Sequence, residues 1–235
     1  MRNLVPIITG DPNSINSEII AKAWKKRSLF RSTDIFLIGN YNLIKKQIKS
    51  IGIKIKINKI KFLNNQNFKK ELFIYDVPLK FKNIFDVSSI EKSKYILKCF
   101  KIAIQLQRKR LVTGLINCPI NKKETFGENF TGITEFIAKK EGVLGREVML
   151  IFNKKLSVSP ITTHIKIKNI SKSISKKRII NNVVTINKFF FDKLKFKPKI
   201  AILGLTPHND EFKKNSEELK IIIPAIKFLK KKRIL

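Results

Sequence analysis

Two histidines, His164 in ITTHIKIKN (161–169) and His208 in GLTPHND (204–210), are the only imidazoles in the chain. A neutral imidazole offers a ring nitrogen to a divalent metal or moves a proton near neutral pH. Each follows an apolar run, LSVSPITT or KIAILGL, that reads as a buried strand. One helix separates the two runs, so parallel, neighbouring strands are expected to bring both histidines to one rim of a sheet, where open α/β sheets hold their ligands. Two imidazoles do not complete a catalytic zinc site, which usually takes three protein ligands and an open position.

Other strand-to-helix turns carry polar groups that suit the same rim. TGDPNSINSE supplies Asp11, Asn13 and Ser14; NCPINKKE supplies Asn117, Asn121 and Lys122. FTGITEF supplies Thr131, Thr134 and Glu135 at a helix start, where free backbone N–H groups favour an anion. Each turn also has an ordinary reading as capping. The cysteines, Cys99 and Cys118, form no metal pattern and read as core thiols of a reduced, cytoplasmic chain.

These turns need a framework, and strands alternate with helices along the chain. LVPIIT (4–9) and LVTGLINC (111–118) read as buried strands, DIFLIG (34–39) as a strand closed by its glycine, ELFIYDV as another strand, and IKIKINKIKF (53–62) as a half-exposed one. EVMLIFN, LSVSPITT and KIAILGL (199–205) read as further strands. Helices are expected from near Ser17, over about 41–50, after the Ser88/Glu91 capping box, over 134–140, and along Ile179, Val183, Phe190 and Leu194. Asn215 and Glu218 open a last helix, with Pro224 as a kink inside it. The alternation predicts an α/β fold with a largely parallel, covered sheet.

The 235 residues carry a net charge of +33, which raises the possibility of a basic nucleic-acid-binding protein. Against it, 42 Lys outnumber 8 Arg and lie in every segment rather than in one patch. The reading is a solvated surface bias with no specific nucleic acid as partner. No apolar run is long enough to span a membrane.

Four segments, in order, resemble the 4-hydroxythreonine-4-phosphate dehydrogenases of pyridoxal phosphate biosynthesis. ITGDPNSINSEI looks like that family's TPGDPAGIGPEI; LINCPINKKETFGENFTGITEF is similar to its TGPI-(H/N)-K segment followed by FTGHTEF; ITTHIKIKNI resembles ATTHxPLxDV; and ILGLTPHNDEFKKNSEE resembles GLNPHAGEGGxxGxEE. The resemblance implies an isocitrate/isopropylmalate dehydrogenase-like α/β/α sandwich with two lobes, approximately 1–130 and 131–235, and a homodimer with active sites at the subunit interface. It implies that NAD (or NADP) oxidises the hydroxyl of a small phosphorylated amino-acid substrate. A divalent metal would assist, zinc first, with magnesium or cobalt as alternatives. By the same resemblance His164 and His208 are metal ligands and Thr134 contacts substrate; no catalytic or dinucleotide-binding residue is assigned.

Two departures stand out. Ile133 replaces the family's histidine beside Thr134, and isoleucine offers no hydrogen bond to substrate. An enzyme acting on a related phosphorylated hydroxy acid is therefore an alternative. The family pattern also continues past Leu235 and carries a third metal histidine there, so the fold is expected to be incomplete at the C-terminus. A catalytically decayed relative is the remaining alternative.

Overall fold

The computed structural model describes residues 3–63, 66–130, 132–208 and 213–234. The chain divides into two compact units, residues 1–130 and 131–235. The first is built on five parallel strands in the order β3-β4-β2-β1-β5: β1 (Leu4–Ile8), β2 (Asp34–Gly39), β3 (Ile57–Ile60), β4 (Leu72–Asp76) and β5 (Ile116–Asn117). The β2 segment DIFLIG is buried at every position. A continuous apolar run suits a strand covered on both faces, and β1 and β4 flank it in register, Ile7 opposite Leu37 and Leu37 opposite Ile74.

Helices fill the crossovers: α1 (Asn16–Lys25), α2 (Tyr41–Ser50), α3 (Ser89–Arg108) and the short α4 (Lys122–Phe126). Asn40 caps α2 by accepting from the Leu43 N–H at 2.9 Å, and Ser88 caps α3 through the Glu91 N–H at 3.4 Å. Ile44 and Ile48 of α2 pack with Ile20 and Ala21 of α1 over Leu37 and Ile74. On α3, Ile96, Cys99 and Ala103 are buried and Leu106, on the same helical face, is half-buried. The N-cap position of α1 is Ile15, and Ser17 lies buried in its first turn. The helix starts early because Asn16 bonds the Asp11 and Pro119 carbonyls and fixes the turn before it. Two strands are shorter than their apolar runs suggest. The 53–62 run yields only 57–60, and 111–118 yields only 116–117, the residues that meet β4 and β1 in the ladder.

The second unit holds α5 (Ile133–Lys140), α6 (Ile170–Ser173), α7 (Lys176–Phe189) continued by a wide π-type turn at Phe190–Leu194, another such turn at Glu218–Ile222, and α8 (Ile223–Lys231). Ser175 caps α7 through the Arg178 N–H. Ile179, Ile222 and Ala225 form the buried centre, joined by Ile161, Ile202 and Leu205. The three strands expected here are not formed among the described residues. EVMLIFN and LSVSPITT meet only at one antiparallel bridge, Ile151 to Val158, and 199–204 has no regular structure. A lone hairpin without a third strand gains too little to extend its ladder. Pro224 sits in the first turn of α8, directly after the π-type turn Glu218–Ile222.

Candidate functional site

The polar turns of the first unit are occupied by the fold itself. Asp11 accepts from the Asn13 N–H at 2.9 Å, and Asn13 exchanges two 2.8 Å bonds with the Val87 backbone. Asn16 donates to the Pro119 carbonyl at 2.8 Å, tying the turn after β1 to the turn after β5. Gly10 is required between them. Its φ is +73°, and a Cβ there would stand 2.5 Å from the Pro119 oxygen. Asn121 caps α4 through the Glu124 N–H, Asn117 bonds the Cys118 carbonyl, and Ser14 faces Asn16 at 3.5 Å. Lys122 is exposed. Of these sequence candidates, all except Lys122 are absorbed by turn and cap bonds.

Beneath them lie two buried networks that sequence inspection does not single out. The Asn40 N–H donates to the Tyr95 hydroxyl at 2.8 Å, and Tyr95 bonds Thr9 at 2.8 Å. Burial raises the Tyr95 phenol well above its ordinary value. Gly39 lets these groups meet, since a Cβ there would lie 2.3 Å from Thr9 Oγ1. Lys92, 7 % exposed, places Nζ 2.5 Å from Glu124 and 3.5 Å from Asp11. Burial pulls Lys92 down, but its hydrogen bond to Glu124 and the charges of Asp11 and Glu124 leave it raised; the same bond lowers Glu124. Residues 11, 92 and 124 are far apart in sequence, so no local pattern signals the triad. Cys99 and Cys118 are free and buried, and burial pushes their thiols up to about 12 and about 11. Neither has the thiolate character of a nucleophile.

The second unit is the opposite case. Thr134, His164 and His208 are all exposed, and none has a side-chain partner among the described residues. Thr134 stands in the first turn of α5, whose N-cap is Gly132 and so carries no side-chain cap. Glu135 is half-buried, and Thr131 lies outside the described residues. His164 sits in a loop at φ +55°, a left-handed backbone that costs a non-glycine residue about 1 kcal/mol. His208 lies in the irregular segment after Gly204, within a turn. Both histidines therefore stand on loops rather than at the ends of paired strands, which corrects the expected parallel neighbours. No group of three His, Cys, Asp or Glu residues is assembled to hold a metal among the described residues. An imidazole has the donor chemistry of a zinc ligand, and a catalytic zinc usually takes three protein ligands.

The loop of His208 has a fixed base. Glu218, 2 % exposed, accepts from the backbone N–H groups of Leu205 at 2.9 Å and Thr206 at 3.3 Å through one oxygen, Oε1.

Parallel strands joined by helical crossovers make the first unit an α/β domain. Residues 31–235 match the family model described as pyridoxal phosphate biosynthetic protein PdxA, and the chain belongs to this family. It is 35% identical over 231 residues to a 4-hydroxythreonine-4-phosphate dehydrogenase of Sulfurihydrogenibium sp. (strain YO3AOP1), covering 95% of this chain and 70% of that relative. A D-threonate 4-phosphate dehydrogenase of Salmonella typhimurium is 28% identical over 94% of this chain and 69% of its own length. In fold, the crystal structure of a 4-hydroxythreonine-4-phosphate dehydrogenase from Burkholderia phymatum superposes with a TM-score of 0.84 at 22% identity, over 99% of this chain and 72% of that one.

Proposed function

We propose that the chain is a 4-hydroxythreonine-4-phosphate dehydrogenase of pyridoxal 5'-phosphate biosynthesis. NAD (or NADP), when bound, would supply the hydride acceptor for the substrate's secondary alcohol, whose proton would pass to solvent. The resulting β-keto acid then loses CO2. One observation carries the reading beyond family membership. The only two histidines of the chain are both exposed, without a side-chain partner among the described residues, and one of them is held in a strained left-handed backbone, as residues with a functional task often are.

His164 and His208 would hold a divalent cation, zinc first, through neutral ring nitrogens. A cation bound there supplies Lewis acidity to the substrate hydroxyl. Thr134 and the first N–H groups of α5 would receive the substrate's phosphate, since a helix start without a side-chain cap favours an anion. Thr134 can donate its hydroxyl to a phosphate oxygen; Ile133, beside it, contributes only shape.

The proposal extends to a homodimer. Exposed Ile151, Leu156 and Val158 on the 149–158 hairpin offer an apolar surface for a second copy. No helix among the described residues is long and apolar enough to cross a membrane, and a cytoplasmic location is proposed with the activity.

The test is NADH formation, followed by absorbance, with 4-phosphohydroxy-L-threonine and added zinc. Thr134→Val should raise KM at least tenfold with an unchanged melting temperature. No NADH with any phosphorylated hydroxy acid would remove the dehydrogenase reading. An alternative reading keeps the reaction and changes the substrate to a related phosphorylated hydroxy acid. Ile133 favours it, because a hydrogen-bonding side chain is missing where the family reads substrate. Faster turnover of D-threonate 4-phosphate than of the amino-acid substrate would select it.

A further inference from the structure

The geometry points to Glu218 as a positioning residue for His208, acting through the backbone of the loop between them. This rests on the reading of His208 as a metal ligand. Glu218 opens the π-type turn 218–222, and the Ser216 hydroxyl fixes the start of that turn by accepting from the Leu219 N–H at 3.3 Å. Such wide turns are frequent at functional sites. From there its Oε1 takes both the Leu205 and Thr206 N–H groups, at 2.9 and 3.3 Å. The Leu205 side chain packs into the cluster around Ile222, on the same turn as Glu218. Leu205 is thus held on both sides, by apolar packing and by a carboxylate. Pro207, whose ring fixes its own φ, removes one free torsion between Thr206 and His208.

A capping role alone does not account for this carboxylate. Its other oxygen, Oε2, is buried and has no hydrogen-bond partner among the described residues. Burying a carboxylate is costly, and what offsets the cost here is its pairing with the two loop amides rather than with its own turn. What the carboxylate does achieve is to fix two successive amides just before an exposed imidazole. A loop imidazole whose approach is set in this way loses less freedom on binding a cation, and groups that orient metal ligands are commonly worth ten- to a hundredfold in affinity.

The experiment is zinc chloride titrated calorimetrically into the full chain and into Glu218→Ala, Glu218→Gln and His208→Ala, with circular dichroism as the check on folding. The glutamine carbonyl still accepts both N–H groups, so Glu218→Gln should bind zinc close to the wild-type value. Glu218→Ala should bind at least about tenfold more weakly. His208→Ala should lose the site. Wild-type affinity in Glu218→Ala beside a loss in His208→Ala would overturn the Glu218 proposal alone. So would Glu218→Gln binding as weakly as Glu218→Ala. Unchanged binding in His208→Ala would remove the metal reading and this proposal with it. Should Glu218→Ala fail to fold, Glu218→Asp takes its place. It keeps the charge but is one methylene short of the two amides, and the same outcomes apply.

Discussion

Polar turns in the first unit and polar loops in the other are similar in sequence and opposite in behaviour. Asp11, Asn13, Asn16, Asn117 and Asn121 commit their hydrogen-bonding capacity to the protein's own backbone. Thr134, His164 and His208 have no such partner among the described residues and face outward. A polar residue at the rim of an α/β fold is therefore not by itself a site. The difference lies in whether the fold has already satisfied it. The unit formed by residues 1–130 holds its turns with its own polar side chains, whereas in the unit formed by residues 131–235 Thr134, His164 and His208 do not serve the fold in this way among the described residues.

Substitutions should separate the two regions by what they damage. The largest effect is expected at Lys92. Lys92→Met leaves Asp11 buried without its cation and should destabilise the protein by about 3 kcal/mol, read by urea unfolding. A loss of less than about 1 kcal/mol would mean that the triad is not a structural clasp. Gly10→Ala comes next, at about 2 kcal/mol, because the new methyl meets the Pro119 carbonyl in a left-handed turn. His164→Gly should act in the reverse sense. It relieves the φ +55° backbone and raises stability by up to about 1 kcal/mol, offset in part by glycine's greater freedom when unfolded, while zinc binding is lost.

The smallest effect is a pH dependence from the triad. Glu124 is held below its ordinary 4.5, so its contribution is complete above that value and fades as pH falls below it. Lys92 is held above 10.5, so its contribution is complete below that value and fades at higher pH. Unfolding midpoints should show a plateau between these limits in the wild type, with a shallower acid limb in Lys92→Met. Identical acid limbs in the two proteins would exclude the pairing as its cause.

Much of the first unit is legible in the sequence because its signals are local. The α2 span 41–50 and the Ser88 cap follow from residues within one turn of each other, and DIFLIG reads as a strand by its apolar run alone. Residues 131–235 are less legible. KIAILGL has the composition of a strand, but a strand needs a partner to pair with, and none is formed among the described residues. Glu218 reads as a helix opener, because sequence cannot show that its carboxylate turns back thirteen residues to the Leu205 amide. His164 and His208 stand out by their rarity and by the motifs around them, whereas the geometry expected to join them, two adjacent parallel strands, is absent among the described residues.

The most direct measurement compares zinc stoichiometry and unfolding midpoint in the wild type and in the double variant His164→Ala/His208→Ala. Groups free of structural duty should be dispensable for folding and essential for the ligand. The expected result is complete loss of bound zinc with an undiminished midpoint. Stoichiometric zinc retained by the double variant, or a midpoint that falls with the histidines, would contradict the assignment of these two side chains to a metal site.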